Sequence, residues 1–209
     1  PVLLRLSTRV SHSQSLVEVG ERAEVALKPY EKNIGKYVMM PASAIGRHLV
    51  VEDREIRMAE DAQDFSVNKM EINDKKIGFI TCGIAYQYVK EVFGESVSVL
   101  KLGLVYPLPE KLIRDFAAKV DRVVVIEELD PVIEEHCLRL GLKVKGKELF
   151  PIEGEFSQNL VARAMGIAAE GGPALDEAIP ARPPIMCAGC PHRGLFYTLK
   201  KNKITVLGD

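Results

Sequence analysis

Near the C-terminus, Cys187-Ala188-Gly189-Cys190-Pro191-His192-Arg193 brings two thiols, an imidazole and a guanidinium into seven residues. Two of the chain's four cysteines and one of its four histidines lie here. Thiols and imidazoles are the side chains of redox and soft-metal chemistry. A c-type haem attachment needs histidine directly after the second cysteine, and Pro191 intervenes. A structural zinc site needs a second ligand pair, which the chain does not supply at usable spacing. Two readings fit better. One is a thioredoxin-like redox pair, its thiolate stabilised by a helix beginning near Pro191. The other is a half-set of iron–sulfur ligands completed by cysteines beyond residue 209.

Other reactive side chains have plainer explanations beside them. Glu127, Glu128 and Asp130 follow the apolar run Arg122–Ile126, where an open α/β sheet places acid–base groups. They suit a metal or a pair of separated pKa values, and equally the cap of a strand and the start of a helix before Pro131. Thr81-Cys82-Gly83-Ile84-Ala85 contains a glycine at a strand-to-helix junction but matches neither G-x-G-x-x-G nor a Walker loop. A tight turn is expected there, with Cys82 a buried thiol at the strand end. His136 and Cys137 are adjacent helix positions pointing in different directions, which favours packing over a joint site. His48 is expected on a helix surface.

The elements that must position these groups alternate most regularly over residues 75–167. Lys76–Cys82, Ser96–Gly103 and Arg122–Ile126 are short apolar strands, the last a continuous run suited to a buried parallel position. Helices are expected from Gly83 to about Phe93, from Pro109 through Lys119 and from Pro131 to Leu140, prolines being favourable at helix starts. Lys143–Pro151 reads as an edge hairpin, and Ser157 as the N-cap of a helix from Gln158 to Met165 that stops at Gly166. This order predicts an α/β fold of three layers, α/β/α, with a mostly parallel sheet and right-handed crossovers. Before it, Val2–Thr8 is strand-like and leads into the polar loop Arg9-Val10-Ser11-His12-Ser13. Lys28–Met40 is an irregular connector, and Ala42–Ala62 an amphipathic helix. Ala168–Pro184 has the Ala/Gly/Pro composition of a linker.

Composition excludes several classes. With 28 basic and 29 acidic residues, net −1, no basic field exists to hold nucleic acid. No apolar run approaches the roughly 20 residues that span a bilayer, and no signal-peptide pattern opens the chain. A cytoplasmic protein with one special cysteine pair is expected, rather than a disulfide framework. The chain starts without Met on a strand-like segment and stops on Gly208-Asp209 as another strand finishes, as a piece of a longer polypeptide would.

The run Met186–Gly194, followed by Phe196-Tyr197 and the strand ending Leu207-Gly208-Asp209, resembles the α subunit of indolepyruvate ferredoxin oxidoreductases, in the 2-oxoacid:ferredoxin oxidoreductase superfamily. Thr8–Ser13, Gly103–Pro109 and Gly146-Lys147-Glu148 ahead of Pro151 agree in order along the whole chain. The resemblance implies the end of a pyrimidine-binding domain at 1–27, a linker with a helix at 28–72, a transketolase C-terminal-like domain at 73–168, and a linker with the start of a diphosphate-binding domain at 169–209. It implies thiamine diphosphate, Mg2+ held by Asp209 beside Gly208, [4Fe-4S] clusters, coenzyme A as cosubstrate, a β subunit, ferredoxin, an aryl pyruvate substrate and an oligomer. Cys187, Gly189, Cys190 and His192 fall on the cofactor side. In the wider superfamily a C-x-G-C pair begins the ligation of a cluster, whereas the indolepyruvate branch carries its clusters in a C-terminal tail, so Cys187 and Cys190 are either cluster ligands or plain thiols beside the cofactor. Arg9, Ser11 and His12 match an Arg-Thr-Ser-His stretch near the substrate end of pyruvate-type relatives. The implied reaction is oxidative decarboxylation of aryl pyruvates to acyl-CoA, with electrons passing to ferredoxin; the stretch alone is expected to be inactive. The competing expectation is a non-catalytic α/β interaction domain carrying a zinc- or thiol-type C-x-x-C appendage.

Overall fold

The computed structural model describes Gln14, residues 16–169 and residues 189–206. The expected strand Val2–Thr8 and most of the Ala168–Pro184 linker lie outside them. By its internal contacts the chain divides into two units, Pro1–Glu60 and Asp61–Asp209.

In the first unit, α1 (Ile34–Tyr37) is one turn whose N-cap, Asn33, accepts the Lys36 N–H at 3.0 Å. It is followed by α2 (Pro41–Asp61), 21 residues long with none buried. Pro41 is the first helical residue, where its missing N–H costs no hydrogen bond. Side chains one turn apart pair along the helix: Asp53 with Arg57 at 2.8 Å, His48 with Glu52 at 3.2 Å. His48 is on the surface, as expected.

The second unit is the expected three-layer fold. Its five strands are β1 (Lys69–Glu71), β2 (Gly78–Cys82), β3 (Ser98–Leu102), β4 (Val123–Ile126) and β5 (Val144–Lys145), in the order β1-β3-β2-β4-β5. All neighbours are parallel except β1 and β3. The central strand β2 is apolar on both faces because both are covered. Phe79 faces a core with Ala85 and Val89 of α3 (Ala85–Phe93) and Val161 of α6 (Gln158–Ala164). Ile80 faces the other, with Ile113 and Phe116 of α4 (Glu110–Ala117) and Ile133 and Cys137 of α5 (Val132–Arg139). Pro109 and Pro131 stand at the N-caps of α4 and α5. Ser157 caps α6 by accepting the Leu160 N–H at 3.2 Å, as expected.

Two parts of the sheet differ from expectation. Lys69–Glu71 is an antiparallel edge strand that no apolar alternation announces. Its place is fixed by Glu71, whose carboxylate meets Lys69 at 2.8 Å, Lys90 at 2.9 Å and the Tyr86 hydroxyl at 2.8 Å. The stretch Lys143–Pro151 is not a hairpin. Val144–Lys145 pairs in parallel with β4, and the chain then turns at Gly146. A methyl group there would collide with the Glu134 carboxylate, which accepts the next N–H, that of Lys147, at 2.7 Å. The turn is thus held by side chain to backbone bonding.

Among the described residues a last helix, α7 (His192–Lys201), follows the cysteine turn, with Pro191 as N-cap. No described helix is long and apolar enough to cross a membrane.

Candidate functional site

In this topology β2 hands over to α3 on one face of the sheet and its neighbour β4 to α5 on the other, so their C-terminal ends mark the position of a switch-point crevice. Such a switch point is where open α/β sheets bind ligands. Its walls are Cys82-Gly83-Ile84 and Glu127–Asp130. Gly83 has φ 54°, the left-handed conformation a tight strand-to-helix turn demands, and Leu129 also lies there at φ 61°.

The three carboxylates expected here as metal or acid–base candidates are not free to act together. Glu127, 6% exposed, accepts the N–H groups of Ile133 at 2.9 and 3.1 Å and of Glu134 at 2.9 Å. It caps α5, the duty that Pro131 has no side chain to perform. Burial pushes its pKa up, opposed by those N–H donors and by Lys147. Glu128 accepts the Phe156 N–H at 2.9 Å and ties down the loop before α6. Cys82 is half-buried, its thiol pKa raised by burial and then by the charges of Glu127 and Glu128. Both causes oppose the thiolate, the form in which a cysteine reacts. Cys137 is buried in the core, its pKa pushed up to about 12 by desolvation first and Glu127 and Glu134 after it. His136 points elsewhere, 2.7 Å from Arg139, as expected of adjacent helix positions.

Lys147, part of a stretch that carries the resemblance, received no role from the sequence. Its ammonium donates to the Glu127 carbonyl at 2.5 Å and lies 5.1 Å from the centre of the Phe156 ring. Desolvation lowers its pKa, against the pull of four surrounding carboxylates. The available signal was Gly146 directly before it, which lets the backbone approach Glu134.

At the cysteine turn, Gly189 has φ 76° and leads into Cys190, and His192 opens α7. The turn brings Cys190 Sγ within 3.5 Å of His192 Nδ1. Cys190 is half-buried and His192 exposed. Soft sulfur beside imidazole nitrogen suits a thiophilic metal, not the oxygen-seeking Mg2+. Cys187, Gly208 and Asp209 lie outside the described residues, as do Arg9, Ser11 and His12. Among the described residues no three His, Cys, Asp or Glu side chains gather as a metal-binding group.

No protein-family model matches the chain. Curated relatives do, and they carry one name, indolepyruvate oxidoreductase subunit IorA. The protein from Methanothermobacter thermautotrophicus is 34% identical over 230 aligned positions, covering 100% of this chain and 37% of the relative. That from Methanothermobacter marburgensis is 35% identical, covering 96% and 35%, and that from Archaeoglobus fulgidus 32%, covering 100% and 37%. A solved 2-oxoglutarate:ferredoxin oxidoreductase from Magnetococcus marinus, with 2-oxoglutarate, coenzyme A and succinyl-CoA bound, aligns with 61% of this chain and 23% of its own at TM-score 0.46 and 19% identity. The chain thus spans little more than a third of the length of the relatives it matches. Over its own length it is similar to the IorA subunits of indolepyruvate oxidoreductases.

Proposed function

We propose that this chain is part of the α subunit of a thiamine diphosphate-dependent ferredoxin oxidoreductase that converts aryl pyruvates, indolepyruvate among them, to acyl-CoA in the cytoplasm. The observation that supports it is relatedness to IorA subunits at 32–35% identity along all or nearly all of the chain, with the cysteine turn and Gly208-Asp209 in the order the enzyme would need. Residues 73–168 act as a transketolase C-terminal-like scaffold between the end of a pyrimidine-binding domain at 1–27, followed by the 28–72 linker, and the start of a diphosphate-binding domain within 169–209.

Thiamine diphosphate, when bound, supplies the nucleophile and electron sink that decarboxylation of a 2-oxoacid requires. The chain's part is to hold and isolate it. Asp209, a hard carboxylate next to Gly208, is assigned to the magnesium of the diphosphate. Cys187, Gly189, Cys190 and His192 are assigned to the cofactor side, and Arg9, Ser11 and His12 to the substrate side. A β subunit, ferredoxin and coenzyme A complete the reaction, within an oligomer that carries [4Fe-4S] clusters.

The test is anaerobic co-expression of the natural full-length gene with its partner subunit, followed by iron, sulfide and thiamine analysis and an assay of ferredoxin reduction. Reduction that depends on indolepyruvate, coenzyme A and thiamine diphosphate is expected, with none from the 209-residue chain alone. Absence of thiamine and of aryl pyruvate-dependent reduction in the full-length complex would overturn the reading.

A further inference from the structure

Three features fall outside the scaffold's own packing: the buried Thr81 hydroxyl that lacks a hydrogen-bond partner, the Cys190–His192 contact, and an exposed apolar stripe on α2. The hydroxyl is sealed from solvent, and the contact is an ordinary thiol–imidazole hydrogen bond. The stripe faces outward, and the charges beside it specify what covers it. We propose that it is the docking face for a second helix whose own apolar seam is bordered by lysine or arginine.

The first argument is spacing. Ala42, Ile45, Leu49 and Ile56 follow one another at intervals of three, four and seven residues, the repeat by which one face of a helix meets a partner helix. Ile45, Leu49 and Ile56 are 72%, 70% and 65% exposed, the highest values among the large apolar side chains of α2. A helix in water draws most of its stability from packing such a face. Yet α2 runs for 21 residues, about 30 Å at 1.5 Å per residue, and buries none of them.

The second argument is charge. At about 100° per residue, Glu52, Asp53 and Glu60 fall within about 60° of the centre of the stripe, and Glu52 stands in the seam itself, between Leu49 and Ile56. Arg47, Arg54 and Arg57 lie about 100° or more from that centre, and the helix holds no lysine. The pairs Asp53–Arg57 and Glu52–His48 are exposed, and such pairs are weak enough to be exchanged for a partner's cations. The acidic border also excludes two other occupants. In a parallel pair of copies Glu52 would face its own counterpart, and in an antiparallel pair Asp53 and Glu60 would face theirs. An anionic bilayer would meet the same carboxylates, whereas helices that lie on membranes carry lysine and arginine there. A basic partner pairs with the border, and a cation opposite Glu52 fixes its register.

The test is fluorescence anisotropy of a labelled synthetic helix of about four heptads, with leucine in the seam and lysine beside it, titrated with the 209-residue chain. Saturable one-to-one binding is expected, about 10-fold tighter than that of the same peptide with glutamate in place of lysine, and the difference should shrink as salt is raised. Leu49→Ser should weaken binding about 10-fold, and Glu52→Lys should reverse the preference between the two peptides. Arg54→Ala, on the opposite side of the helix, should leave the affinity unchanged. Leu49 and Glu52 are exposed, so neither change disturbs a core, and far-ultraviolet circular dichroism checks that each variant keeps its helix content. Equal affinity for the two peptides, no binding of the lysine peptide, or binding that neither Leu49→Ser nor Glu52→Lys alters would overturn the proposal. So would light scattering that shows a dimer of the chain dispersed by Leu49→Ser, which assigns the stripe to a second copy. Flotation with phosphatidylserine-containing vesicles that Leu49→Ser abolishes would overturn it too, by assigning the stripe to a membrane.

Discussion

The crevice at the C-terminal end of the sheet and the turn at Cys190 both collect reactive side chains, and they use them in opposite ways. At the crevice Glu127 and Glu128 accept backbone N–H groups, Lys147 donates to backbone carbonyls, and Cys82 is held as a thiol. At the turn the thiol and the imidazole face each other beside an open helix end. The same residue types build a scaffold where they are buried against backbone and offer a site where they are not. Position at a switch point therefore does not make a site; unspent hydrogen-bonding and ligating capacity does.

The largest test of that contrast is on the scaffold. Phe116 is fully buried against β2, and Phe116→Ala is expected to cost about 3–5 kcal/mol in chemical denaturation. Next is Glu127→Ala, which strands the Ile133 and Glu134 N–H groups and is expected to cost about 3 kcal/mol, with Glu127→Gln recovering part of it through its acceptor oxygen. A loss below about 0.5 kcal/mol for Glu127→Ala would mean that this carboxylate is not structural and would reopen the crevice as a site.

Acid titration separates two carboxylates, the half-buried Glu71 and the buried Glu127, by sign. Burial opposes ionisation of Glu71, and its bonds to Lys69, Lys90 and Tyr86 overcome it, holding the pKa at about 2 against an ordinary 4.5. Its folded form binds fewer protons than the unfolded chain, so its contribution is present above pH 4.5 and is lost as pH falls toward about 2. The raised pKa of Glu127 works the other way, favouring the fold as pH falls through its folded value toward 4.5. Glu71→Gln should flatten the loss of stability below pH 4.5, and Glu127→Gln should leave that loss in place; urea unfolding across the range reads both. The smallest effect is kinetic. In native protein, alkylation should spare Cys82 and Cys137, whose thiols are pushed up, and reach Cys190 first in a Cys187→Ser background.

Much of the scaffold was legible because its signals are local. The apolar runs of β2, β3 and β4, the prolines before α4 and α5, and Ser157 before α6 each act within a few residues. What stayed hidden depends on distant partners. Lys69–Glu71 is charged and becomes a strand because Lys90 and Tyr86, on α3, hold Glu71. The turn at Gly146 needs Glu134, a whole helix earlier in the chain. The roles of Glu127 and Glu128 followed from which N–H groups reach them, which spacing alone does not encode. At the turn the residue types were visible at once, but the approach of sulfur to nitrogen required the backbone.

The most direct test of the contrast is urea unfolding of the 209-residue chain carrying either Cys190→Ser or the double change Glu127→Gln with Glu128→Gln. The carboxylate variant should lose stability, because the Ile133, Glu134 and Phe156 N–H groups lose their charged acceptors, and the Cys190 variant should keep the stability of the unsubstituted chain. A carboxylate variant as stable as the unsubstituted chain, beside a Cys190 variant that unfolds at lower urea, would contradict the account.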